Sequence, residues 1–361
     1  MAHPYQGLPP EAYWRRAVAA PEFIEVDPIS PPKFKISRTD RVATAGSCFA
    51  QHLSRRLSEA GFNYYVAEKP HPIMPLEVAA QFNYGVFTAR YGNIYTTRQL
   101  LQLFDRAFGD FRPQEPAWIR QDSRWVDPFR PEISPDGFVS VEEMEFDRRN
   151  HLACVAEAFE QLDVFVFTLG LTECWMSKAD GAVFPLCPGV SGGQFDSSKY
   201  QFHNQTVEEV VTDLEQFRSR ILSVNSRARF ILTTSPVPLI ATASGRHVLT
   251  ATTASKSILR VACDVLHRHD DVEYFPSYEI ITGSFNRGRY FAEDLRSVTQ
   301  EGVDHVMRLF LRHFADASSA PPATPSPTDE GEGAELVRLL NLVCEEEALD
   351  RANLAGGARR S

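Results

Sequence analysis

No stretch of this 361-residue chain approaches the ~20 consecutive apolar residues of a membrane-spanning helix, so no membrane span is expected. The first residues, MAHPYQGLPPEAYWRRAV, lack an apolar signal core. Cysteine is sparse: six residues, Cys48, Cys154, Cys174, Cys187, Cys263 and Cys344, with no CxxC pair. That scatter predicts reduced, mostly buried thiols and a cytoplasmic setting rather than disulfides or structural zinc. Basic charge is in deficit, 37 Lys and Arg against 47 Asp and Glu, a formal net charge of -10. A general nucleic-acid surface is therefore not expected. No phosphate-binding loop, dinucleotide fingerprint or internal repeat occurs, so no cofactor and no metal is expected.

What remains is an ordinary globular composition, 43% hydrophobic and 11% aromatic, enough for a sizeable core. RVATA at 41–45 is a short, β-prone apolar run. FAQHLSRRLSEA, which follows at 49–60, repeats its apolar residues at helical spacing. DVFVFTLG (163–170), ARFILTTSP (228–236) and VEYFPS (272–277) read as further buried strands. Helical patterns fall at about 206–223, 253–268 and 299–315, and strands separated by such helices predict a parallel sheet. Residues 1–40 read as an N-terminal extension and 41–315 as one α/β domain. Within that domain, about 61–140 is an irregular insertion with a helix from Thr97. Residues 316–333 are Pro-, Ser- and acid-rich and predict a disordered linker, followed at 334–352 by an amphipathic helix. That helix is expected to dock on the body, on a second copy or on another partner.

Chemistry is concentrated where strands end. Gly46 and Ser47 stand in the turn from strand to helix, where Ser47 reads either as a helix N-cap or as a nucleophile beside a helix N-terminus. TLGLTECW, after the second long strand, offers the Gly170 amide, the Thr172 hydroxyl and the Glu173 carboxylate. Asp294 precedes the last helix of the body. A serine, donors for an oxyanion and an acid are components of an acyl-transfer site.

These residues carry a resemblance. GSCFA at 46–50, with TSPVP at 234–238, SKSIL at 255–259 and FPSYEI at 275–280, identifies the chain as a member of the GSCFA family, within the SGNH (GDSL-like) hydrolase superfamily. The resemblance covers roughly residues 40–312. It implies a three-layer α/β/α, flavodoxin-like (SGNH hydrolase-like) parallel sheet. By superfamily it implies ester hydrolysis or acyl transfer, often on carbohydrate. Ser47 matches the nucleophile position, and Gly170 and Thr172 match a Gly-x-Asn block, with Thr replacing the oxyanion-binding Asn. The superfamily's Asp-x-x-His reads Asp294-Leu295-Arg296-Ser297 here, so Ser297 stands where the basic imidazole is expected.

A hydroxyl does not replace an imidazole as base at neutral pH. His305 lies eight positions beyond Ser297, about 12 Å along a helix, too far for direct substitution. His247, on the long loop after the 228–236 strand, is the preferred substitute, with a surface loop histidine as its alternative. Glu173 is a second possible acid or base, and His203 requires its connection to fold inward. His267 and His269 with Asp270 and Asp271 suit either a metal cluster or a solvated helix C-terminus, the latter preferred. Cys48 reads as a turn-packing residue or a thiolate. The expected function is a serine-type esterase or O-acyltransferase acting on a small acylated, carbohydrate-like substrate. The alternative is a catalytically silent module that binds glycan or protein.

Overall fold

The computed structural model describes residues 3–316, with the exception of the Cys48 side chain. The linker at 316–333, apart from its first residue, and the helix expected at 334–352 lie outside the described residues.

Four strands, β1 (Val42–Gly46), β4 (Val164–Leu169), β8 (Arg229–Thr234) and β9 (Val272–Tyr274), form a wholly parallel sheet in the order β1-β4-β8-β9. Between β1 and β4 come α1 (Cys48–Glu59), α2 (Leu76–Gln81), α3 (Thr97–Phe108), the paired β2 (Trp118–Ile119) and β3 (Trp125–Val126), and α4 (Val141–Gln161). Between β4 and β8 come β5 (Glu173–Ser177), β6 (Val183–Phe184), β7 (Tyr200–Asn204) and α5 (Val207–Val224). Helix α6 (Val248–Leu266) joins β8 to β9, and α7 (Ser277–Thr282) and α8 (Gln300–Phe314) follow.

The period-2 alternation of each central strand sorts its side chains to two faces. Val42, Val164, Val166 and Ile231 meet Phe49, Leu53 and Leu57 of α1, Ile280 of α7 and Phe310 of α8. Phe165, Phe167, Phe230 and Leu232 meet Leu100 and Phe104 of α3, Phe159 of α4, Phe217 of α5 and Leu259 of α6. The result is a three-layer α/β/α fold around a parallel sheet, the sheet expected from the alternating strand and helix patterns and the layering from the family resemblance. Among the described residues no helix is long and apolar enough to cross a membrane.

Residues 63–65 extend this sheet on the far side of β1. The Val42 amide donates to the Asn63 carbonyl at 3.0 Å, the Tyr65 amide donates to the Val42 carbonyl at 2.9 Å, and Val42 and Tyr64 form a parallel bridge. The chain therefore leaves β1 first to one side, at residues 63–65, and later to the other, at β4. Strand order reverses between β1 and β4, and in open parallel sheets that reversal leaves a crevice at the carboxyl ends.

Two parts of the fold are absent from the sequence patterns. Strands β5, β6 and β7 form a separate antiparallel sheet, ordered β6-β5-β7, between β4 and α5. The 61–140 region is also more than an irregular insertion, since α3 packs directly into the core on the sheet. A buried ionic cluster ties this region to α4. Asp127 and Arg130 pair at 3.0 Å, Asp147 accepts from Arg130 at 2.8 Å and from Arg90 at 3.0 Å, and Arg148 reaches Asp127 at 2.9 Å. His151 Nδ1 lies 2.6 Å from Glu68 Oε2 in the same cluster. Such a set contributes little over an apolar core, but removing one partner costs about 3–5 kcal/mol because a buried charge is left alone. The N-terminal region lies along α8, where the Ile36 amide donates to the Phe314 carbonyl at 2.7 Å and His313 Nε2 lies 2.7 Å from Asp27.

Candidate active site at the carboxyl ends of the first two core strands

The last residue of β1, Gly46, has φ +140, a conformation that L side chains rarely adopt. A Cβ built there would lie 2.5 Å from the Thr168 carbonyl oxygen on β4. Glycine thus lets the end of β1 lie directly against β4. Gly46→Ala is expected to destabilise the protein by roughly 2–4 kcal/mol, from backbone strain and overpacking together. A urea midpoint equal to that of the wild type would show that the strands separate without cost.

Ser47 follows in extended conformation, φ -83 and ψ -176, at the N-cap position of α1. It does not act as a cap: its side chain accepts no bond from the first turn of the helix. Only 5% of the residue is exposed, and Oγ is buried with no hydrogen-bond partner among the described residues. The capping reading is corrected on this point. An orphaned buried hydroxyl costs about 1–3 kcal/mol and calls for a reason.

Gly170 lies across the crevice. A Cβ built on it would come 3.4 Å from Ser47 Cβ and 3.2 Å from the Tyr95 carbonyl oxygen, so the absent side chain opens the space beside the serine. Residues 94–95 strap the crevice. The Ile94 amide donates to the Gly46 carbonyl at 2.9 Å, and the Tyr95 carbonyl accepts from the amides of Gly170 at 3.2 Å and Leu171 at 2.8 Å. Lys256 of α6, 1% exposed, donates from Nζ to the Gly170 carbonyl at 2.7 Å and holds the same turn from below. Ser47 and Gly170 are thus brought together at the point where strand order reverses.

The other expected residues are engaged elsewhere. The Thr172 hydroxyl, fully buried, donates to Asn204 Oδ1 at 2.6 Å and lies 3.0 Å from Ser255 Oγ. The Gly170 N–H is held by Tyr95. As oxyanion donors, both groups would first have to exchange partners. Glu173 Oε1 accepts from the Thr242 hydroxyl at 2.6 Å. Asp294 Oδ2 accepts from Ser297 Oγ at 2.6 Å, while Oδ1 accepts from the amides of Arg296 and Ser297, both at 2.9 Å. The Ser297 hydroxyl and those two amides hold the Asp294 carboxyl below the usual carboxylate range. Ser297 therefore closes a turn upon Asp294 in place of an imidazole.

His247 is exposed and caps α6, its Nδ1 accepting from the Leu249 amide at 3.2 Å. Neither His247 nor Asp294 hydrogen-bonds Ser47 Oγ. His203 lies 2.8 Å from Glu209, His267 2.7 Å from Glu273 and His269 2.8 Å from Glu215. Among the described residues no group of three or more His, Cys, Asp or Glu side chains is placed to hold a metal ion. Cys154, Cys174, Cys187 and Cys263 are free thiols, and burial pushes those of Cys174 and Cys263 up to about 12.

Asn204, Ser255 and Lys256 are site residues that the strand-end reading passed over. The SKSIL block held a signal for two of them. Nothing local marks Asn204, which reaches Thr172 only because β7 pairs with β5 so that Asn204 faces Glu173. A cleft of 280 Å³ opens beyond this network, between Leu171 and Trp175 on one side and Leu239 and Ala241 on the other. A larger one, 710 Å³, lies along the β2–β3 hairpin and residues 189–194, and none of the crevice residues lines it.

No curated protein matches the chain. The model of the GSCFA family matches residues 41–310, three quarters of the length and the whole of the sheet, both sides of the crevice and most of α8. With Gly46 and Ser47 of the signature set at the reversal of strand order, the chain belongs to the GSCFA family.

Proposed function

We propose that the chain is a serine-type esterase or O-acyltransferase acting on a small acylated, carbohydrate-like substrate, with Ser47 as nucleophile. The observation that supports this most is the Ser47 hydroxyl, buried and unpartnered at the strand-order reversal, where a capping serine would have been satisfied. Ser47 Oγ would attack the acyl carbon, its proton passing by way of solvent to the departing alcohol as the ester C–O bond breaks and the acyl-enzyme forms. The first-turn amides of α1 and the Gly170 turn, whose carbonyl Lys256 holds, would supply donors to the developing oxyanion. Asn204 adds an amide at the Thr172 hydroxyl, where the superfamily pattern has its own asparagine. SGNH membership remains part of this proposal, resting on the motif blocks and on the three-layer fold.

A second reading, a catalytically silent module binding glycan or protein, is favoured by one observation: the position of the expected imidazole holds Ser297, bonded to Asp294. A fluorophosphonate probe separates the two. Labelling mapped to Ser47 is expected. Absence of labelling in folded protein would favour the silent module.

The base is tested by two variants. Ser297→His restores an imidazole three residues after Asp294 and is expected to raise hydrolysis of a short p-nitrophenyl ester about a hundredfold or more. His247→Ala is expected to leave hydrolysis unchanged, because that ring caps α6 on the surface. Loss of activity in His247→Ala would instead identify it as the base, reached by movement of its loop.

A further inference from the structure

We infer that the 280 Å³ cleft beyond Leu171 is an acyl-chain site, so that the acyl group transferred is an unbranched apolar chain of medium length rather than an acetyl. This rests on the serine-esterase reading of Ser47. The cleft begins one residue past Gly170, whose missing Cβ faces Ser47 Cβ at 3.4 Å, and runs between β5 and the loop that leaves the carboxyl end of β8. Leu171 thus joins the lining of the cleft to the Gly170 turn that faces Ser47.

Its lining decides the chemistry. Leu171, Trp175, Leu186, Phe202, Leu239 and Ala241 form apolar walls. The Trp175 and Phe202 rings meet edge to face, with centroids 5.8 Å apart, which stiffens one wall. Glu173 is the one charged residue of the lining, and its carboxylate already accepts from Thr242. A sugar ring needs several directed donors and acceptors, and this lining contains no Arg, Lys, His, Asn or Gln. A methylene fills roughly the ~30 Å³ that a water occupies in the liquid. A cleft of 280 Å³, less than perfectly filled, thus suits a chain of about six to eight carbons.

The test is the chain-length profile of the full-length protein on p-nitrophenyl acetate, butanoate, hexanoate, octanoate and dodecanoate. Each methylene moved from water into the cleft should raise kcat/KM about fourfold, giving a rise through the octanoate and a fall at the dodecanoate. Ala241→Trp should fill the cleft and flatten the profile. A maximum at acetate, in protein that the fluorophosphonate labels at Ser47, overturns the inference while leaving the esterase reading in place. Binding of octan-1-ol, measured calorimetrically on the Ser47→Ala protein, tests the cleft without turnover. Binding that Ala241→Trp abolishes supports the cleft even if no ester is hydrolysed. No binding, or binding indifferent to Ala241→Trp, overturns it. Ala243→Trp, on the same loop, serves as a second blocking variant should the first fail to fold.

Discussion

Ser47→Ala is expected to remove ester hydrolysis and fluorophosphonate labelling while leaving the protein as stable as before, or more so. Loss of a serine nucleophile costs at least about a thousandfold in kcat where the rest of the site is intact. The stability effect follows from what the hydroxyl touches. A capping serine changed to alanine costs about 1 kcal/mol. Ser47 makes no capping bond, and its Oγ is buried without a partner, so the substitution relieves a desolvated polar group. The two readouts separate the accounts. Full hydrolysis by the alanine variant removes Ser47 from the chemistry, whatever the fold does. A fall of the unfolding free energy by 1 kcal/mol or more would show that the hydroxyl satisfies a neighbour after all, and the argument from its orphaned state would go with it.

How much of this was legible before the structure depended on the range over which each feature is written. DVFVFTLG and ARFILTTSP are continuous apolar runs, buried on both faces, and they became β4 and β8. The turn that carries Ser47 was readable because its strand and its helix adjoin in the chain. Helix α4 was passed over: its buried positions, Met144, His151, Val155, Ala158 and Phe159, are spread among charged residues that include members of the ionic cluster. Strands β5 and β7, ECWMS and YQFHN, are short and mix aromatic with polar residues, so neither period stands out. The site was half readable for the same reason. Gly46, Ser47 and Gly170 announce themselves by type and by place at strand ends. Whether a hydroxyl or an amide is already engaged depends on residues far away, as when Tyr95 takes the Gly170 amide and Asn204 takes the Thr172 hydroxyl. The Thr172 oxyanion role came from the motif resemblance and the His247 base from type and loop position, and the structure finds both groups bonded elsewhere, as it does the Gly170 amide, Glu173 and Asp294.

Acid is expected to unfold this protein well before its exposed carboxylates titrate, through three imidazoles, those of His305, His151 and His52. His305 is fully buried: its Nε2 donates to the Val26 carbonyl at 3.1 Å and its Nδ1 lies 2.6 Å from the Tyr290 hydroxyl, which can donate to it. Both nitrogens are satisfied with the ring neutral, and a second proton would face the Tyr290 O–H. Burial first, then the Arg308 charge, pushes its pKa down to about 4. His151, also fully buried, is lowered to about 4 by burial and then by Arg130, against the pull of Glu68. In the unfolded chain all three rings titrate near 6.5. Above that value they are neutral, folded or unfolded, and the folded state holds its full stability. As the pH falls from 6.5 towards 4 the unfolded chain binds protons that the folded chain refuses, so stability drops, by about 2 kcal/mol per imidazole at pH 5. Glu68 adds a later loss. Burial opposes its charge, but the His151 ring and the Arg130 and Arg90 guanidiniums outweigh that and hold it at about 2. Its contribution is complete above its unfolded value and fades as the pH falls from there through 2. Urea midpoints at pH 7.5, 6.0 and 5.0 should fall steadily. In His305→Gln the slope between pH 6.5 and 5.0 should shrink by about a third, because His151 and His52, the latter lowered to about 4 by burial and by the Arg55 and Arg56 charges, still refuse protons. A wild-type midpoint unchanged between pH 7.5 and 5.0 would mean that none of the three rings is held neutral by its surroundings.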